Sequence, residues 1–309
     1  MSFDFDAAVT APFRMQPGLR RLAPGATQLT PQQPGSRHQR EKLAVLSSFA
    51  QQALLSRDGF DAAPALDALC AQAAAEHPQA FAWDGRRAHA LWLGTAVADG
   101  QVEQVATGSF GLGDEISRCL HGLPAAWRLA GLLSLAFAED FAIVDGQDAS
   151  IPWLAVTLPS HWAPEDKVGR HFAEVHAPVA DNALIVGAST ALTRMVTGPE
   201  RWERFVWTVT PHPRLHAHPQ RVNEARWAQV PVEQATWRTE RQTFIPLPAL
   251  RQAVFTILVQ TEPLPTAMAV PGRAARVHDA IASMSAPVLA YRGLTPVRDA
   301  LLAWLALRR

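Results

Sequence analysis

Regular hydrophobic spacing begins at about Gln39, where apolar side chains recur every three or four residues as far as Leu55. This spacing places them on one face of an amphipathic helix. Further helices are predicted at about 63–76, 114–119, part of 127–140, 271–284 and 295–309. Residues 1–36 are rich in Pro, Gly and Gln without sustained periodicity, which predicts an extended N-terminal arm before a single domain over 37–309.

Short apolar runs separated by turn residues fill the middle of the chain. Residues 141–144 and 153–157 flank a polar turn and predict a hairpin, and 242–246 and 254–260 predict another. Phe205–Thr210 alternates like a strand, whereas 164–176 has a helical pattern. Strands, then a helix, then strands predict an α+β fold with an antiparallel sheet.

The charge balance excludes one class of partner. The 309 residues include 28 basic and 28 acidic side chains, giving a formal net charge of zero. Extended binding to nucleic acid or anionic lipid depends on an excess of Lys and Arg, so neither is expected. No apolar run approaches the roughly 20 residues that span a bilayer, and the acidic start lacks a signal-peptide pattern. We therefore expect a soluble cytoplasmic protein.

Redox cofactors of two common kinds are also not expected on this chain. Its two cysteines, Cys70 and Cys119, cannot supply the four thiolates of an iron–sulfur cluster. Neither a Rossmann glycine pattern nor a P-loop is present. If the protein performs redox chemistry, its electrons come from another chain.

Histidines are the remaining candidates for binding a metal or a haem. On a helix over 164–176, Val168, Phe172 and His176 would share one face at i, i+4 and i+8. An apolar helical face that ends in a histidine suits axial ligation of haem iron. A histidine at a helix C-terminus is also stabilised by the helix dipole alone, so both interpretations stand.

A second histidine group, His212, His216 and His218, lies in the proline-punctuated segment TPHPRLHAHP. Two histidines separated by one residue could bind a divalent metal. No carboxylate or further histidine stands at a convincing spacing, so a solvated loop is expected instead.

Charged residues in two predicted strands pose a similar choice. In WRTERQTF, the period of two sends Glu240 and Gln242 to one face and Arg241 to the other. An inward Glu240 would have to be partnered or functional. Alternatively, the charges protect an edge strand from aggregation. Arg204, in RFVWTV, presents the same alternatives.

The chain resembles the bacterial haem-dependent oxidative N-demethylase family, specifically its haem-binding alpha subunit. LPSHW followed by DKVGRHFAEVHAPV is similar to the family's Pro-Ser-x-Trp, Lys-x-Gly and Ile-His-x-Pro-Val stretches. Other matches stand in the expected order along nearly the whole chain: Pro12–Met15, Glu139–Asp140, Arg204 with Trp207, Glu240–Thr243, Leu247–Pro248, Phe255–Ile257 and Tyr291–Leu294. The chain departs from the family at Ala180-Asp181-Asn182 and at Val206.

The resemblance implies a PAS-like antiparallel-sheet haem domain with N- and C-terminal helices packed around it. It implies haem b held by His176, dioxygen as a co-substrate, and oxidation of a small secondary amine such as dimethylamine to formaldehyde and the smaller amine. Electrons would come from NAD(P)H through flavin and iron–sulfur centres on reductase subunits.

Within that family, hypothetical roles can be assigned to six residues. Arg204 would hydrogen-bond to dioxygen, and Glu240 would accept the substrate ammonium or relay protons. Lys167 and Arg170 are candidates for the haem propionates, and Phe172 would line the porphyrin beside His176. The alternatives are a haem-based sensor or gas-binding module without catalysis, and a haem-free binding or structural protein.

Overall fold

The computed structural model describes residues 3–222 and 227–308. Within these ranges, seven strands form an antiparallel sheet in the order β1-β9-β10-β11-β7-β8-β2. The strands of this large sheet are β1 (Arg20–Arg21), β2 (Leu54–Ser56), β7 (Asp140–Asp145), β8 (Ser150–Ala155), β9 (Trp202–Thr210), β10 (Thr236–Leu247) and β11 (Gln252–Pro263). Helices combined with an antiparallel sheet confirm the α+β prediction.

A smaller antiparallel sheet was not predicted from the sequence. Its strands, paired in chain order, are β3 (Phe81–Trp83), β4 (Arg87–Ala90), β5 (Thr95–Ala98) and β6 (Gln101–Gln104). They are three or four residues long, too short to show a clear period of two.

The helices lie mostly in three groups, before β7, between β8 and β9, and after β11. The first group is α1 (Phe5–Ala8), α2 (Arg37–Ala53), α3 (Ala63–Glu76), α4 (Glu115–His121) and α5 (Arg128–Ala136). The second is α6 (Phe172–His176), α7 (Ala183–Gly187) and α8 (Ser189–Val196). The third is α9 (Leu264–Ala267), α10 (Arg273–Ala282), α11 (Ala286–Tyr291) and α12 (Arg298–Ala306). None of the helices in the described ranges has the length and apolar character needed to cross a bilayer.

Both faces of the large sheet are covered. On one face, Phe141, Ile143 and Ile245 join a core formed with α2, α3 and α5, while Trp207 and Trp237 pack with the C-terminal helices. On the other, segment 162–175 packs against Ala142, Leu154 and Phe255. We call this second face the site face, because Arg204 and Glu240 lie on it.

The predicted helix over 164–176 is wrong. Residues Pro164–Asp166 form a 3-10 turn, and the chain then leaves helical geometry at Gly169, whose φ is 73°. A bridge between His171 and Ser150 follows, and α6 starts only at Phe172. Glycine adopts a left-handed φ at no steric cost, so it provides the break. Val168 therefore does not share a helix with His176.

Candidate functional site

His176 is the last residue of α6, and a hydrogen bond fixes one of its two ring nitrogens. Its Nδ1 lies 2.8 Å from the carbonyl oxygen of Phe172, and the two rings are 4.1 Å apart between centroids. A carbonyl can only accept, so Nδ1–H is the donor and Nε2 carries the free lone pair. Metal-binding histidines are typically oriented in this way by a backbone carbonyl.

The environment of His176 keeps its imidazole neutral. Burial, the largest cause, and the positive charges of Arg204 and Lys167 together lower the pKa of His176 to about 4, although the hydrogen bond with the Phe172 carbonyl opposes them. The imidazole is therefore uncharged at neutral pH, which is the form that binds a metal. The same interactions show that Arg204 and Lys167 lie close to His176.

Arg204 projects from β9 with part of its guanidinium buried. Its Nε is shielded from solvent and has no hydrogen-bond partner among the described residues. Burial lowers the pKa of Arg204, and the nearby Glu240 and Tyr291 oppose that shift. A buried donor without a partner is costly, so this nitrogen is available to a bound group.

Glu240 lies on the neighbouring strand and on the same face. Gln242 pairs with Arg204 across β9 and β10, and Glu240 pairs with Val206, which makes Arg204 and Glu240 diagonal neighbours. Glu240 is 8% exposed and accepts a hydrogen bond from Gln242 Nε2 at 2.5 Å. Since β10 lies between β9 and β11, the edge-strand interpretation of these charges is wrong.

The other three predicted residues lie in different surroundings. The Phe172 ring packs at a tilt of 34° against the His176 ring, and Lys167 donates from Nζ to the carbonyl of Val175 at 2.8 Å. Arg170 is exposed, in the connection between Gly169 and α6. The fold thus brings Lys167 and Phe172 to His176, whereas Arg170 stands at the surface.

An apolar wall lies beside this group. Trp162, Val168 and Val175 are partly buried against Ala142, Ile151, Leu154, Val156 and Phe255. These three side chains come from irregular chain and from α6, not from the single helix face that the sequence predicted.

Tyr291 is a site residue that the sequence reasoning did not single out. It ends α11, is about half exposed, and interacts electrostatically with Glu240 and Arg204. Partial burial, the largest cause, raises the pKa of Tyr291, so the hydroxyl stays protonated at neutral pH. The matching Tyr-Arg-Gly-Leu stretch near the C-terminus was the available signal, but it carried no indication of position.

The histidine-rich segment is not the solvated loop that its sequence predicts. His212 and His218 are 2% and 1% exposed. Buried Arg238 anchors the segment, donating to the carbonyls of Arg214 and Leu215 and to the hydroxyl of Ser160. Across residues 3–222 and 227–308, no cluster of three or more His, Cys, Asp or Glu side chains is arranged to hold a metal ion.

A comparison with known protein families identifies a match over most of the chain. A family model described as haem-dependent oxidative N-demethylase, alpha subunit-like, matches residues 38–302. The match covers most of the chain and includes His176, Arg204 and Glu240.

Proposed function

Because the chain belongs to the haem-dependent oxidative N-demethylase, alpha subunit-like family, we propose that it is a haem-dependent monooxygenase that removes a methyl group from a small secondary amine. Dimethylamine is the model substrate, and formaldehyde and the smaller amine are the products. The observation that carries the proposal is the free Nε2 of His176, whose imidazole interacts electrostatically with Arg204. Arg204 is partly buried and lies diagonal to the buried Glu240 on the site face.

The residues present fit a haem. His176 would hold the haem iron through its Nε2, because its Nδ1 is tied to the Phe172 carbonyl. The apolar wall of Trp162, Val168 and Val175 suits a porphyrin. The unpartnered Nε of Arg204 offers a donor to a group bound beside it. We assign haem b, with His176 as ligand and Phe172 beside it.

The two charged groups on the site face have complementary tasks. When bound, the haem supplies the activation of dioxygen. The Arg204 guanidinium donates hydrogen bonds and stabilises negative charge that develops beside it, an effect strengthened by the shielding of its Nε from water. The Glu240 carboxylate accepts the ammonium of the substrate, since each ion offsets the desolvation of the other.

Tyr291 and Lys167 complete the site in this proposal. The protonated Tyr291 hydroxyl, which interacts electrostatically with both Glu240 and Arg204, can pass a proton between the carboxylate and solvent. Lys167 is assigned to a haem propionate, with Arg170 as a second, exposed candidate. One oxygen atom of dioxygen ends in formaldehyde and the other in water, so the reaction consumes two electrons and two protons.

The electrons must come from elsewhere. No iron–sulfur or nucleotide motif occurs in the sequence, and the family name specifies an alpha subunit-like chain. We therefore propose reductase subunits that carry flavin and iron–sulfur centres and take electrons from NAD(P)H, in the cytoplasm.

We propose further that residues 37–309 form one PAS-like domain, and that the preceding arm over 1–36 adds β1 to the edge of its sheet. The support is the strand order β8-β7-β11-β10-β9 in the large sheet, which is 2-1-5-4-3 when these five strands are counted in chain order. Helices α6–α8, which include His176, lie between the second and third of them.

The proposal is tested by amine-dependent formaldehyde release from the haem-loaded protein with an external reductant. We expect Glu240→Gln to lower kcat/KM for dimethylamine by at least about tenfold, because the ammonium loses its counter-ion. Glu233→Gln, which changes an exposed carboxyl outside the site, should have no effect.

Two results would contradict it. If Glu240→Gln turned over the amine at the wild-type rate, Glu240 would have no role in substrate binding. If the haem-loaded protein bound dioxygen but released no formaldehyde with any small amine, the gas-binding alternative would hold. The Arg204–Glu240 pair favours catalysis over sensing, because gas binding alone requires no buried carboxylate beside the ligand.

A further inference from the structure

A separate pocket of about 180 Å³ lies at the opposite end of α6 from His176. The turn between β7 and β8 contributes one wall, and α8 contributes another. Arg251, which follows β10, and His171, which precedes α6, complete the lining. None of the residues proposed above to bind haem or substrate lines it.

The pocket carries uncompensated positive charge. Arg194 and Arg251 both line it, and neither forms an ion pair with a carboxylate among the described residues. The acidic side chain in the lining, Asp148, is occupied: it binds Arg57 at 2.7 Å and accepts from the Ser150 backbone at 3.1 Å. Two guanidinium groups therefore remain for a ligand.

One of these guanidinium groups is held in place. Arg251 donates to the carbonyl of Gly146 at 3.0 Å, and the backbone N–H of Gly146 donates to the carbonyl of Arg251 at 2.7 Å. Gly146 is required for this approach, since an added Cβ would lie 2.8 Å from that carbonyl oxygen. A pre-positioned donor loses less conformational entropy when it binds a ligand.

His171 adds a neutral donor. Its Nδ1 accepts the backbone N–H of Ala173 at 3.1 Å as part of a capping box at the start of α6. A neutral imidazole that accepts at Nδ1 carries its proton at Nε2. The hydroxyl of Thr190, which lies one turn before Arg194 on α8, also lines the pocket.

We propose that this pocket binds a small oxyanion, such as phosphate or a short dicarboxylate. Guanidinium forks match the oxygen geometry of both groups. The volume corresponds to about six water molecules at roughly 30 Å³ each, which accommodates a ligand of this size. The ligand would contact α8 and both turns, and thereby fix the start of α6.

Calorimetric titration of the full-length protein with phosphate, and separately with succinate, tests the proposal at low ionic strength. We expect one-to-one binding of at least one of them in the millimolar range or tighter. Arg194→Gln should weaken binding by at least about tenfold, because charge-assisted hydrogen bonds are lost. Arg194 is exposed and its side chain makes no hydrogen bond to the described residues, so folding should not suffer.

Two further variants make the test specific. Thr190→Glu places a carboxylate among the arginines and should abolish binding of either anion. Arg40→Gln removes an equal charge from an exposed position on α2 and should leave binding unchanged. The proposal is overturned if neither anion binds, or if Arg40→Gln weakens binding as much as Arg194→Gln does.

Discussion

Acidification should weaken haem binding to this protein far less than it weakens binding through a solvated imidazole. Burial lowers the pKa of His176 from 6.5 to about 4, and protons compete with iron for the same Nε2 lone pair. At about pH 5.5, an imidazole of ordinary pKa is only about 9% neutral, whereas one with a pKa of about 4 is about 97% neutral. Between about pH 7.5 and 5.5, haem affinity should therefore fall by less than about twofold, against about tenfold for an ordinary histidine.

The assay is a haem titration followed at the Soret band at both pH values. The control is the variant His176→Gly, with free imidazole added to replace the missing ligand. It keeps the same haem pocket, so it shows the same changes in propionate protonation, but its ligand is protonated in solvent. The rescued variant should lose about tenfold in affinity over the same interval. Parallel losses in the two proteins would show that burial does not protect the ligand, and would refute the reasoning.

Three further predictions concern buried charges. The Lys42 Nζ lies 3.1 Å from Asp140, and both side chains are fully buried. Lys42→Met should therefore lower the free energy of unfolding, measured with denaturant, by about 3–5 kcal/mol. Adding Asp140→Asn should restore part of this loss, and no recovery would argue against the ion pair. Burial raises the pKa of Glu139 to about 7, so this carboxyl keeps its proton in the folded state at pH values where the unfolded chain has lost it. The free energy of unfolding therefore falls as the pH rises towards 7. Glu139→Gln should remove this pH dependence, and an unchanged dependence would assign it to another group. Arg204→Gln should increase the rate at which the reduced, haem-loaded protein is oxidised to the ferric state by oxygen, because the arginine no longer stabilises negative charge on the bound oxygen. This rate is followed at the Soret band. Equal rates in Arg204→Gln and in the control variant Arg40→Gln would exclude the assigned role.

Local sequence patterns were sufficient to predict the helices that bury one face and the strands that are bounded by clear turns. The helix predicted at 63–76 matches α3, and the hairpins around 145–150 and 247–253 form as expected. The helix prediction for 164–176 failed because the apolar spacing is compatible with a glycine at position 169. In the structure, Gly169 has a left-handed φ next to the bridge between His171 and Ser150. That contact is between residues about twenty positions apart, and no local period reports it.

The candidate site shows the same limit. The period of two correctly placed Glu240 and Gln242 on one face, but only the register with β9 brings Arg204 to that face. Tyr291 arrives from a helix about fifty residues further along the chain, and only the tertiary fold brings it near Glu240. Likewise, the polar sequence around His212 and His218 predicts exposure, whereas the buried Arg238 supplies the hydrogen bonds that allow the segment to be covered.

The central claim is that the imidazole of His176 is the protein's ligand to haem iron, and absorption spectra of haem-loaded variants test it most directly. We predict that wild-type protein shows a Soret band characteristic of histidine ligation. His176→Ala should lose or shift this band, while His171→Ala and the exposed His121→Ala should retain it. A wild-type spectrum from His176→Ala, or a shift caused by His171→Ala instead, would contradict the claim.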